Sequence, residues 1–475
     1  MLFCFFKFKL TYGQMTHYSY RENLYLHNFT DLIFVAKRYK SFLQKNKDCC
    51  RMRVFKKEVR MIQSQEGSGH KRLGVFTKFL HPFPSFFAFL LFVFLLVFPK
   101  GGIKLAGVPV TWGYGLLFVA AILYIPFKRF SQITRSQVVI LLALLPFQIY
   151  SLFVIGINGI EDMGYALSFF ISFFVLPWIF LGILPRSLNN LERPFIFHRF
   201  RQAIILIAVI GIVQFFLKTF TGELFNIPGL TVNLHDADFL DQNQKFNSRG
   251  ILHKLTSTFQ NGLIYGISLC MFFPLFNFLE TSRFKKWLVK FSFLLTLSRT
   301  VWIALFLAEV FDYFFIKKVT IKSLVKLAWL SGSFCVGIYL LLAILNMDMG
   351  FLLDRNLGGR IGQLAVLDDI RLIGDVPFDP LKEMVYFEVL RVFGFIGLVT
   401  FIFAITSPLW AYLFFLPKRD KNNEERTIRK CLFLGLLLYL IIACSDGAIL
   451  YIPVMAFYWG LSSFLLSSFR KVGCP

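Results

Sequence analysis

Charge is scarce in this chain, and acid is scarcest: 16% of residues are charged, with 27 Asp and Glu against 51 Lys and Arg. Soluble domains carry about a quarter of their residues as charges. A chain of 475 residues this poor in charge is not a string of soluble domains. The eight cysteines (Cys4, Cys49, Cys50, Cys270, Cys335, Cys431, Cys444 and Cys474) have neither zinc-type nor redox spacing, and none falls in the long outer loops assigned below. That argues against a metal finger, a dithiol redox centre and a disulfide framework, and leaves reduced, buried cysteine as the expectation. No repeat is visible along the chain, which weighs against transporters built from inverted repeats. No cleavable signal peptide is evident.

What is abundant is hydrocarbon. Hydrophobic residues make up 56% of the chain and 62 positions are Phe. Apolar runs recur at lengths suited to a hydrocarbon layer about 30 Å thick. They predict about 12 spans, near 82–98, 106–127, 136–157, 163–184, 202–217, 259–279, 286–298, 300–316, 323–345, 385–410, 429–444 and 447–469. The run 286–298 is short and reads as tilted or partly inserted. The expected fold class is all-α: a polytopic transmembrane helical bundle with two extracytoplasmic loops packed over it.

The net charge of +24 belongs to topology rather than to nucleic acid. Residues 1–80 hold 16 Lys and Arg against five Asp and Glu, as a basic cytoplasmic tail would. Residues 1–60 contain no run long enough to span, and Met52 or Met61 reads as an alternative start, with the upstream part then a gene-calling extension. The other reading is an amphipathic tail on the cytoplasmic leaflet. The remaining basic residues alternate between loops. Lys128, Arg129 and Arg135, then Arg186, Arg193, Arg199 and Arg201, then Arg283, Lys285 and Lys286, then Lys317, Lys318 and Lys322 mark one side, with Lys418 to Lys430 after them. Loops 158–162 and 445–446 have no basic residue. By the positive-inside rule both termini are cytoplasmic. The bundle domain, 81–475, then carries two long outer loops, 218–258 and 346–384.

Three patches on that outer side carry chemistry. The first is Lys254-Leu255-Thr256-Ser257-Thr258-Phe259-Gln260-Asn261, with Arg249 before it. The second is Ser298-Arg299-Thr300. The third runs from Gly358-Gly359-Arg360 through Asp368, Asp369, Arg371, Asp375, Asp379 and Glu383 to the segment Tyr386–Gly397. An arginine at the membrane edge costs a few kcal/mol unless it snorkels or meets a partner. Arg299 therefore either reaches headgroups or binds phosphate, whose oxygens a guanidinium matches bidentately. Arg360 follows two glycines that free the backbone to turn it over the bundle, or sits on a solvated loop. The cluster His235-Asp236-Ala237-Asp238 with Asp241 has cation-ligand types but lacks the glycine and terminal glutamate of a calcium loop, so it reads as a polar loop and no metal is expected. Asp446 reads as a cap before Gly447, with a place in the same cavity as the other reading.

In order along 250–400, these patches resemble the O-antigen ligase and O-antigen polymerase superfamily. Lys254–Asn261 is similar to its Arg-x-x-Gly-Thr-Phe-x-Asn-Pro-Asn pattern, with Lys in place of Arg and Gly262-Leu263 in place of Pro-Asn. Leu295-Thr296-Leu297-Ser298-Arg299 with Trp302 resembles its Leu-Thr-x-Ser-Arg-Gly-x-Trp. Gly358-Gly359-Arg360 is similar to the Ser-Gly-Arg that opens its large periplasmic loop, and Tyr386–Gly397 to the segment that closes it. Where ligases carry His-Asn before that closing Tyr, this chain has Glu383-Met384-Val385, which makes it polymerase-like.

The resemblance implies glycosyl transfer from an undecaprenyl-diphosphate-linked glycan on the periplasmic face of a bacterial inner membrane, with no cofactor and no metal. It implies that Arg299, Arg360 and Lys254 or Arg249 neutralise the leaving diphosphate. Glu383, or Asp375 or Asp379, would orient or deprotonate the acceptor hydroxyl; each also reads as a solvated or salt-bridged loop acid. Membrane lipid and a chain-length regulator protein are the implied partners, and nucleic acid is not one. The alternatives are a ligase transferring glycan to a lipid A core or to protein, and a flippase or other transporter of lipid-linked oligosaccharide. A flippase would need charge inside many spans, and here the spans are nearly free of charge, with Lys290, Glu309, Asp312 and Arg391 among the few charged residues.

Overall fold

A computed structural model of the chain describes residues 90–124 (apart from 91, 106 and 107), 133–183, 193–234 (apart from 225), 248–249, 252–316, 360–416 and 423–467, with isolated positions between 325 and 339. All lie in one compact unit, Phe79–Phe469. The tail 1–80, the run 323–345 apart from those isolated positions, the cluster 235–241 and Gly358-Gly359 lie outside the described residues.

The chain is mostly helical. After a π-helical stretch at Phe92–Val97 come a two-stranded antiparallel hairpin, β1 (Gly102–Leu105) and β2 (Val108–Thr111), and α1 (Trp112–Tyr124). Next are α2 (Arg135–Asn158), α3 (Met163–Ile183, its C-terminal half π-helical) and α4 (Arg193–Thr221). A second small hairpin, β3 (Ser248–Arg249) and β4 (Leu252–His253), leads to α5 (Gly262–Leu279), α6 (Arg283–Leu294) and α7 (Arg299–Phe311). The bundle closes with α8 (Val385–Phe415), α9 (Asn423–Ile442) and α10 (Ile452–Leu466).

Five of these helices, α2, α3, α4, α5 and α8, are long and apolar enough to cross a membrane, and α10 is a shorter apolar helix. Two expectations change. The all-α reading omits both hairpins, and the segment expected to span from 106 begins its helix only at Trp112. Val108, Val110 and Thr111 are β-branched and Pro109 lacks an N–H, so this stretch pairs with β1 instead of opening a helix. α6 has 12 residues, about 18 Å of helix, which is shorter than a hydrocarbon core of about 30 Å.

Local chemistry starts the helices where they start. Thr134 and Gln137 form a reciprocal capping box on α2, Asp162 accepts from the Gly164 and Tyr165 N–H groups at α3, and Asn261 accepts from Leu263 and Ile264 at α5. Packing then relies on fit, since lipid removes the hydrophobic drive between helices. α2 runs along α8, and α5 along α9. Gly435 of α9 makes the second contact possible: a Cβ there would run into the Met271 carbonyl of α5. On the other seam, Phe147, Phe169, Phe173, Phe393 and Phe401 pack with ring centroids 5.1–5.9 Å apart, most of them edge to face.

Among the described residues, two sets of hydrogen bonds involve connecting segments. In one, the basic residues predicted as cytoplasmic bind carbonyls at helix C-termini: Arg201 to Leu279 at 3.0 Å, Arg429 to Ser467 at 3.1 Å and Lys430 to Phe315 at 3.2 Å. A cation there also complements the helix dipole. The other set holds the segments predicted as outer. The Phe378 N–H donates to Gly159 (3.0 Å), the Glu161 N–H to Phe378 (2.9 Å) and the Asn158 amide to Gly374 (2.8 Å). Phe378 itself enters the phenylalanine cluster with no exposed surface.

Candidate functional site at one end of the bundle

Three turns and one loop meet at that second end. The Leu255 N–H donates to the Leu295 carbonyl at 2.9 Å, tying the Lys254–Asn261 segment to the turn between α6 and α7. Ser257 anchors the same segment to α4 through the Ile207 carbonyl, 2.8 Å away. The Trp302 indole N–H reaches back to the Leu294 carbonyl at 3.0 Å and so braces the turn that presents Arg299, the first residue of α7. The Thr300 hydroxyl lies 3.2 Å from that of Ser445, in the turn between α9 and α10. That turn runs beside the residues before α8: the Gly447 N–H donates to Glu383 and the Val385 N–H to Ala443, both at 3.2 Å. Tyr386 adds a bond from its hydroxyl to the Leu440 carbonyl at 2.9 Å.

Arg360 sits over the junction. Its guanidinium bonds Glu383 on one side and Asp446, at 3.4 Å, on the other. Gln363, one turn along from Arg360, accepts from the Met384 N–H at 3.0 Å and holds the loop in place. The two carboxylates live in different surroundings. The Glu383 side chain is 50% exposed and that of Asp446 6%. Burial, and then the charge of Glu383, push the Asp446 carboxyl up to about 7. Arg360, the Ala448 backbone and Lys254 pull against that rise. Lys254 is thus an electrostatic neighbour of Asp446. His253, next to it, is buried and lowered to about 4, first by burial and then by Lys218 and Lys254, so its imidazole is neutral at pH 7. Its Nε2 and the fully buried Thr258 hydroxyl have no hydrogen-bond partner among the described residues.

The backbone at this end is strained. Ser257, Gln260, Leu297 and Ala448 are the four non-glycine residues with positive φ among the described residues, at 44–57°. All four sit in the three turns just described. Such conformations cost about 1–3 kcal/mol each and collect where a particular side-chain placement is being enforced.

No family model matches the chain, and no curated protein matches it.

Of the residues singled out from the sequence, the structure brings Lys254, Arg360 and Glu383 to one place, with Arg299 one residue from the contact to the Asp446 turn. Asp375 and Asp379 are not in that constellation. Asp375 pairs with Arg371, and Asp379 with Arg391, which also holds the buried Glu388 at 2.8 Å. Arg249 lies on β3 opposite Leu252; its side chain lies outside the described residues. Asp446 is the residue that sequence reasoning placed second. It caps no helix, since α10 begins at Ile452 with Tyr451 as its N-cap and no side-chain cap; its carboxylate accepts from the Ala448 backbone and binds a guanidinium 86 positions earlier in the chain. The signal that could have raised it is an acidic residue in a two-residue turn, predicted as outer, with no basic residue beside it. Among the described residues no group of three His, Cys, Asp or Glu is placed to hold a metal ion.

Proposed function

We propose that this chain is a bacterial inner-membrane glycosyltransferase that polymerises undecaprenyl-diphosphate-linked oligosaccharide units on the periplasmic face. About twelve spans, cytoplasmic termini and outer loops 218–258 and 346–384 packed over the bundle complete the proposal. The observation that carries it is the meeting of Lys254, the Arg299-Thr300 turn and Arg360 around carboxylates at the end of the bundle opposite the basic loops.

The chemistry follows from charge. As the bond from the anomeric carbon to the diphosphate breaks, negative charge collects on the leaving group. Fixed cations are worth most where charge develops, in a site with little water. Arg299, Arg360 and Lys254 take the diphosphate, and Arg360 also links that side to the two carboxylates beside which the acceptor hydroxyl is received. Glu383 is the exposed member and faces incoming glycan. A ligase would use the same donor half; an acid where ligases carry histidine favours the polymerase. One observation favours the flippase reading: Lys290 and Glu309 pair within the helices at 2.6 Å. That pair neutralises itself, which supports a structural role better than substrate carriage.

Arg299→Ala and Arg360→Ala should each abolish long-chain glycan on a gel while membrane levels of the protein stay normal, a loss of about 10²–10³ in rate. Lys at either position should restore only part, because a point charge cannot reproduce the bidentate fork. Normal ladders in both Ala variants would remove the clamp and revive the flippase reading.

A further inference from the structure

Two carboxylates share one guanidinium here, and only one of them is shielded from water. Arg360 can balance a single negative charge, so Asp446 and Glu383 together carry one excess charge whenever both are ionised. The groups facing Asp446 are Glu383 and Arg360 from the loop before α8, Lys254 from the segment before α5, and Tyr439 from α9. Its main-chain neighbours are held on both sides, with the Ser445 hydroxyl at Thr300 and the Gly447 carbonyl accepting from the Tyr439 hydroxyl at 2.9 Å. The carboxylate is therefore aimed by three elements. Among the described residues, the Glu383 side chain, half exposed, is held by Arg360.

Resting on the polymerase reading above, we infer that Asp446 is the general base that takes the proton from the acceptor hydroxyl, and that Glu383 is a positioning residue which sets the readiness of Asp446 to do so. The acceptor O–H bond breaks with its proton passing to the Asp446 carboxylate. The freed oxygen pair forms the new bond to the anomeric carbon. The bond from that carbon to the diphosphate oxygen breaks, and its electron pair leaves with undecaprenyl diphosphate. The proton then passes from Asp446 to water, which restores the carboxylate. A base works best when its pKa lies near the working pH, and burial beside a second carboxylate puts Asp446 there. Glu383 supplies part of that rise through its charge.

The test uses membranes carrying the full chain, supplied with lipid-linked glycan extracted from source cells lacking the gene, and follows polymer formation from pH 5 to pH 9. The wild type should show a rate that climbs with a midpoint near 7. Asp446→Asn should lower the rate at pH 8 by about 10²–10⁴ and abolish the climb, with thermal unfolding at pH 5.5 unchanged, since Asn can still accept from the Ala448 backbone. Asp446→Glu should retain the climb at reduced rate. Glu383→Gln should slow the reaction yet keep the climb, with its midpoint moved to lower pH because a charge that raises the Asp446 pKa is gone. A Glu383→Gln variant that loses the climb beside an Asp446→Asn variant that keeps it would overturn the inference and leave the polymerase reading intact. A wild-type chain that makes no glycosidic bond from the extract would overturn both.

Discussion

Replacing Arg360 by Ala should destabilise the end of the bundle that holds Asp446 by an amount that depends on pH. Two contacts are lost. The bond to Glu383, whose side chain is half exposed, contributes at most about 1 kcal/mol. The contact to Asp446 joins side chains that are 16% and 6% exposed, and stripping one partner from a buried pair costs about 3–5 kcal/mol because a charge is left uncompensated. A carboxyl can escape that cost by taking up a proton. Arg360 lowers the Asp446 pKa, so its removal sends a group already near 7 higher still. At pH 5.5 Asp446 is protonated with or without Arg360, and the variant should lose only about 1 kcal/mol. At pH 8.5 the loss should reach about 3 kcal/mol. The sign runs the same way in the wild type: a carboxyl raised in the folded state stabilises fully below its unfolded pKa, and that stability is lost as pH rises through about 7. Thermal unfolding of purified protein in lipid nanodiscs at the two pH values measures this. Arg360→Ala combined with Asp446→Asn should recover most of the alkaline deficit, since no buried charge remains. Parallel melting of Arg360→Ala and wild type at both pH values, or no recovery in the double variant, would refute the reasoning.

Two further outcomes follow from the packing and the charge pattern. Gly394→Ala should sharply reduce the yield of monodisperse protein in detergent: Gly394 has φ 70° and ψ −174° inside α8, and a Cβ there would strike the Gly374 N and Ile373 C atoms, adding a backbone clash to about 1–3 kcal/mol of strain. Wild-type yield from that variant would show that the break in α8 is not required. In a cysteine-free background, an impermeant thiol reagent applied to intact cells should label Cys placed at 240 and 365 and leave 190 and 422 untouched; labelling at 422 would reverse the topology and move the site to the other face.

Much of this molecule is legible in the sequence because its two strongest signals are local. Apolar run length marked α2, α3, α4, α5 and α8 to within a few residues, except that α4 continues into basic residues at its start. Capping pairs such as Thr134 with Gln137 need only neighbours in the chain. The β1–β2 hairpin was missed because a 22-residue apolar run reads as a span, and nothing in composition shows that its first residues bond to β1. The expectation of buried cysteine holds for Cys270 and Cys431 and not for Cys444, which is exposed. Alternating basic loops likewise predicted two ends, and among the described residues one set of hydrogen bonds involves residues predicted as cytoplasmic and another ties segments predicted as outer.

The sequence by itself determined which residues could carry charge at that end: Arg299 and Arg360 with Lys254 or Arg249 as cations, and Glu383, or Asp375 or Asp379, as the acid. Only tertiary structure decided which of them meet. Asp375 and Asp379 lie within eight residues of Glu383 in the chain, yet each is claimed by another arginine. Asp446, more than sixty residues away, is brought beside Glu383 by two backbone hydrogen bonds. The physical reason is that an ion pair is specified by distance and burial, and both are set by how α8, α9 and α10 pack. Whether a carboxylate is an ordinary loop acid or a buried partner of Arg360 is a property of its surroundings, which residue type and spacing do not contain.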